Sequence, residues 1–62
     1  MFEKELMRRC KAYLEDSGLP VARMCAKLNI STSAFYQWRK NRLNLSPERL
    51  LSIDNYLKYW GY

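Results

Sequence analysis

The 62-residue sequence has no histidine, two glycines, two prolines and two cysteines, and each scarcity removes a class of protein. Without histidine, the most frequent general base and metal ligand near neutral pH is missing. Six scattered acids and no glycine-rich phosphate loop leave acid–base and phosphoryl-transfer chemistry without support, so the chain is expected not to be an enzyme. Cys10 or Cys25 as a nucleophile would need a base and a cleft beside it, and 62 residues offer neither obviously. With little glycine or proline and 48% hydrophobic residues, the chain does not resemble a disordered tail. No run nears the ~20 apolar residues of a membrane span. The start Met1-Phe2-Glu3-Lys4-Glu5 lacks the apolar stretch of a secretory signal. A cytoplasmic protein without a membrane partner is the expectation.

What remains is about one small domain, residues 1–62, with a single core and no room for a separate effector domain. A chain of this size buries only roughly 60% of its unfolded surface, so the core must be dense. Five tyrosines, two tryptophans and two phenylalanines supply much of its apolar area. Cys10 and Cys25 both fall on apolar faces of predicted helices, where a reduced cysteine packs as a small hydrophobe. A zinc site is the sharper alternative, yet two cysteines and no histidine would leave half its tetrahedral shell empty in a monomer. A Cys10 to Cys25 disulfide is the third. No cofactor or metal is expected.

The net charge of +5 is unevenly spread. Residues 1–19 carry four bases and four acids, and residues 46–62 carry Arg49 and Lys58 against Glu48 and Asp54. Between Pro20 and Leu45 stand Arg23, Lys27, Arg39, Lys40 and Arg42 with no acid. An uninterrupted positive field suits a polyanion, because neutralising phosphates releases condensed counterions. A solvated basic face that keeps the protein soluble is the plainer alternative.

No strand-like alternation is sustained, and helical spacing recurs four times, which predicts an all-α domain of four to five helices. The first helix spans Phe2 to Asp16, with Phe2, Leu6, Cys10, Tyr13 and Leu14 on one face, and Ser17-Gly18 ends it. The second, Pro20 to Leu28, opens on a proline suited to a first turn. Its stripe is Val21, Met24, Cys25 and Leu28 at i, i+3, i+4 and i+7. Asn29 tolerates the positive φ that closes a helix, and Ile30 follows as a buried plug. Ser31 caps a third helix running to Lys40. Ser46-Pro47-Glu48 starts a fourth, Pro47 to Tyr59. Its stripe is Leu50, Ile53, Leu57 and Trp60, widened by Leu51 and Tyr56, with Arg49, Ser52, Asp54, Asn55 and Lys58 facing solvent.

Two short helices joined through Asn29 to Ser31 make a helix-turn-helix, and the second lies in the acid-free segment. At about 100° per residue, Phe35 and Trp38 share one side of that helix, while Ser33, Tyr36, Gln37 and Lys40 lie on the opposite side. Ala34 and Arg39 flank the buried face. Hydroxyls, an amide and a cation on one face can hydrogen-bond base edges or phosphates in a major groove wide enough for a helix. Arg23, Lys27, Arg39, Lys40 and Arg42 are the candidate phosphate contacts, and Thr32, Ser33, Tyr36 and Gln37 the candidate base readers. Phe35 and Trp38 read as core rather than as intercalating wedges. So small a domain gathers few contacts, which favours a homodimer on two half-sites. Tyr59, Trp60 and Tyr62 either form that interface or pack on the first helix.

The run from Val21 to Trp38, VARMCAKLNISTSAFYQW, resembles the helix-turn-helix of the lambda-repressor/Cro type. A small residue at the position of Cys25 and apolar residues at Met24, Leu28, Phe35 and Trp38 carry the likeness, and Asn41-Arg42 and Leu45-Ser46-Pro47-Glu48 resemble the following loop and helix. Val21 stands where that family often has glutamine, and Asn29 where it usually has glycine. The likeness implies a helical, usually dimeric domain that reads a palindromic site in double-stranded DNA, with Thr32, Ser33, Tyr36 and Gln37 at base-reading positions. It points to a small phage or mobile-element repressor. Met24 to Lys40 also resembles the N-terminal helix-turn-helix of some insertion-sequence transposases, whose acidic catalytic core has no counterpart here. An excisionase-like accessory protein that bends DNA, or a helical module that docks another protein, are the alternative functions.

Overall fold

The computed structural model describes residues 2–62. Helix α1 spans Phe2–Ser17, α2 Val21–Leu28, α3 Thr32–Arg39 and α4 Pro47–Tyr59, and no strand occurs among the described residues. The domain is all-α with four helices. α1 packs against α4, and α2 packs against both α3 and α4. The globule measures 26 × 22 × 18 Å.

Local chemistry sets the helix boundaries. The Ser31 side chain accepts the Ala34 N–H at 3.1 Å and opens α3, and Ser46 does the same for Arg49 N–H at 3.3 Å in α4. α1 closes on Gly18 at φ 70°, whose N–H bonds the Leu14 carbonyl at 3.1 Å. α2 closes on Asn29 at φ 58°, with Ile30 N–H on the Cys25 carbonyl at 3.0 Å, and buries Ile30 against the core. α3 repeats the device with Asn41 at φ 61° and Arg42 N–H on the Gln37 carbonyl at 2.8 Å. Pro20 does not enter the first turn of α2 as expected. Its extended ψ of 145° makes it the flanking cap residue instead.

Leu6, Cys10 and Tyr13 from α1, Met24 and Cys25 from α2, Ile30, Phe35 and Trp38 from the helix-turn-helix, and Ile53 and Leu57 from α4 form one core. Cys10 and Cys25 are buried free thiols, and burial pushes the Cys10 thiol up to about 12. The Trp38 indole N–H donates to Glu3 Oε1 at 3.1 Å, so the ring is buried without stranding its donor.

Four expectations need correction. Asp54 was expected in solvent, but it is buried on the flank of α4 that meets α1. There Arg9 Nη1 lies 2.6 Å and Lys58 Nζ 3.1 Å from its carboxylate. These two cations hold the Asp54 carboxyl below its ordinary range. Trp60 leaves the expected stripe because α4 ends at Tyr59, and the indole is half exposed. Leu51 and Phe2 are exposed as well, the first turned away from Ile53 and Leu57 and the second projecting from the first turn of α1. Tyr62 resolves half of the aromatic question. Its ring sits edge-on to Tyr13 at 5.6 Å, its hydroxyl donates to Asp16 at 2.9 Å, and its backbone oxygen accepts from Arg9 Nε. Tyr59 and Trp60 stay exposed.

Candidate nucleic-acid interface

The core fixes the rotation of α3. Phe35 and Trp38 are fully buried, with ring centroids 5.9 Å apart, so the opposite side of an eight-residue helix must face outward. Thr32, Ser33, Tyr36 and Gln37 are all exposed there, joined by Lys40 at the C-cap. Gln37 Nε2 donates to Ser33 Oγ at 3.3 Å, one turn back along the face. This bond leaves the amide oxygen and a second N–H of Gln37 free to meet a ligand. Ala34 and Arg39 are half-buried at the two flanks. The Arg39 guanidinium lies 5.7 Å from the centre of the Phe35 ring, a cation–π contact that keeps it beside α3. Tyr36, Arg39 and Lys40 line one shallow recess.

The cations of the middle segment are not all on this face. Arg23 and Arg42 are exposed on α2 and in the turn after α3. Lys27 is exposed too, but it borders a groove with Leu28, Tyr56, Tyr59 and Trp60, on the side of α2 that meets α4. The structure thus groups Thr32, Ser33, Tyr36, Gln37, Arg39 and Lys40 on α3 and sets Lys27 apart.

Ion pairing sharpens the charge asymmetry. Glu5 pairs with Arg8, and Asp54 with Arg9 and Lys58, all on α1 and α4. Arg8 holds the exposed Glu5 carboxyl below its ordinary range. Among the described residues, none of Arg23, Lys27, Arg39, Lys40 and Arg42 forms an ion pair. The positive field of the middle segment is therefore not neutralised from within.

No family model, curated protein or solved structure matches this chain.

Arg49, a solvent-facing position of α4 by its spacing, belongs to the neighbourhood of the turn. Its Nη1 donates to the Asn29 carbonyl at 2.8 Å, which ties the start of α4 to the turn of the helix-turn-helix. Twenty residues separate the partners, so no local spacing signalled the contact. Among the described residues, no group of three or more histidine, cysteine, aspartate or glutamate side chains is placed to hold a metal ion. No helix among them is long and apolar enough to cross a membrane.

Proposed function

We propose that the protein is a sequence-specific regulator that binds duplex DNA, lays α3 in the major groove and acts as a homodimer, in the manner of a small phage or mobile-element repressor. One observation carries the reading: the second helix of a helix-turn-helix turns Thr32, Ser33, Tyr36 and Gln37 outward, with Lys40 at its end, inside a segment whose cations form no ion pair among the described residues. Hydroxyl and amide groups read base edges, and cations fix the register on phosphates. In this account Arg23, Arg39, Lys40 and Arg42 hold the backbone around α3, while Lys27, lying toward α4, contributes through the overall field. The resemblance of Val21 to Trp38 to the lambda-repressor/Cro type supports the same reading.

Selection of bound duplexes from a random pool, run at two salt concentrations, tests it. A recurrent sequence that survives the higher salt is the expected result. Binding that disappears without leaving any preferred sequence would reduce the protein to a general polyanion binder, and no binding at low salt would favour a protein-docking role.

A further inference from the structure

The outward face of α3 is narrow in its chemistry. At about 100° per residue it divides into two adjacent rows, Thr32 with Tyr36 and Ser33 with Gln37, the members of each one helical turn apart. The first row carries apolar surface: a threonine methyl and the Tyr36 ring, which is 45% exposed and set edge-on to buried Phe35 with centroids 6.2 Å apart. The second row is polar and tied along its length, since Gln37 Nε2 donates to Ser33 Oγ at 3.3 Å. Other base readers are missing from this face. Guanine is read chiefly by arginine or lysine, and cytosine by a carboxylate. No acid occurs between Pro20 and Leu45. Arg39 lies on the flank, half-buried and 5.7 Å from the Phe35 ring centre, and Lys40 stands at the C-cap past the last helical residue.

We infer that the base pair read at the middle of α3 is A·T, with Gln37 bonded to the adenine edge and the Tyr36 ring against the thymine methyl. This rests on the DNA-binding reading above and names the sequence feature that the same face recognises. One N–H of Gln37 is engaged by Ser33, which leaves one N–H and the amide oxygen. Among the four bases only adenine presents the matching pair in the major groove: N7 accepts the N–H, and the N6 amino group donates to the oxygen. The thymine methyl of the same pair lies toward the opposite strand, so two neighbouring rows of unlike chemistry cover the two halves of one pair. Ser33 is then a positioning residue, whose hydroxyl holds the amide that touches the base. Binding is also sensitive to methylation of that adenine at N6, because the methyl replaces the hydrogen that faces the groove.

Selection from random duplexes, run with the wild type and with Gln37→Ala, locates the pair whose preference disappears, and titrations then probe that pair with altered bases. It should be A·T. 7-Deazaadenine, which lacks the N7 acceptor, and N6-methyladenine should each weaken wild-type binding about tenfold and leave Gln37→Ala nearly unmoved. Uracil in place of the thymine should weaken the wild type about threefold and leave Tyr36→Ala nearly unmoved. Ser33→Ala should reduce the discrimination of adenine from guanine at that pair without changing affinity for a scrambled duplex, and Ser33→Thr, which keeps the hydroxyl, should restore it. A G·C pair at that position, a wild type indifferent to the altered adenines, or a Gln37→Ala protein as sensitive to them as the wild type would overturn the inference. A recurrent site in those cases leaves sequence-specific DNA binding standing, whereas a selection that yields no recurrent site would remove the inference together with the reading on which it rests.

Discussion

The polar residues of α3 divide by what each group can distinguish. Gln37, steadied by Ser33, offers a donor and an acceptor together, so Gln37→Ala should cost about 1 to 3 kcal/mol on the preferred duplex and relax the choice at one base pair. Lys40 offers only charge. Lys40→Ala should weaken every duplex alike and lower the slope of log K against log salt by about one unit. Titrations on a selected and a scrambled duplex separate the two patterns, and equal losses on both for Gln37→Ala would contradict its role. Asp54 makes the chain sensitive to acid. Its carboxyl is held below the ordinary 3.8 by Arg9 and Lys58, so the folded state binds this proton less readily than the unfolded state does. Its contribution is complete above the unfolded value and is lost as pH falls through the folded one. Asp54→Asn should therefore lower the melting temperature at neutral pH and flatten its decline below pH 4, which melts across a pH series will read. The burial and pairing of Asp54 are not legible in the sequence, because Arg9 reaches Asp54 across 45 positions and a helical wheel of α4 alone assigns the carboxylate to solvent.

Among the elements, α2 and α3 are held by their ends as much as by their faces. Ser31→Ala removes the cap of an eight-residue helix and should cost about 1 kcal/mol, a drop of ~4 to 8 °C in melting temperature for a domain this small. Asn29 lies at φ 58°, where a β-carbon is strained. Asn29→Ala should then destabilise by about 1 to 2 kcal/mol, while Asn29→Gly should be neutral or stabilising in the same denaturant series. These ends also show what the sequence discloses. Ser31, Ser46, Gly18 and Asn29 act through neighbours within a few positions, so their roles and the four helices were readable in advance. Asn41 closes α3 by the same left-handed turn, at φ 61°, although its neighbours carry no helix-stop signal as clear as that of Gly18. The outward face of α3 was legible because two rings three positions apart orient a helix. Arg49 at the Asn29 carbonyl and Lys27 beside α4 were not, since both depend on how elements that are distant in sequence meet.

At the scale of the whole molecule, charge is separated by element. The acids sit on α1 and α4, three ion pairs form there, and the segment between Pro20 and Leu45 keeps its cations unpaired among the described residues. Such a molecule should approach a polyanion with α3 forward and α1 behind. A 62-residue domain is expected to hold roughly 3 to 9 kcal/mol of stability. Trp38→Ala, at about 3 to 5 kcal/mol, should therefore remove a third or more of that margin, and DNA binding should fall in proportion to the folded fraction that a melt reads. Surface changes on α3 should leave the melt unaltered, which separates loss of contact from loss of structure. The most direct measurement is the change in backbone amide resonances of isotope-labelled protein as duplex DNA is added. The account predicts the largest shifts at Thr32, Ser33, Tyr36, Gln37 and Lys40, with Glu15 and Asp16 of α1 nearly silent. Shifts concentrated on the exposed residues of α4 or along α1, with α3 unmoved, would contradict it.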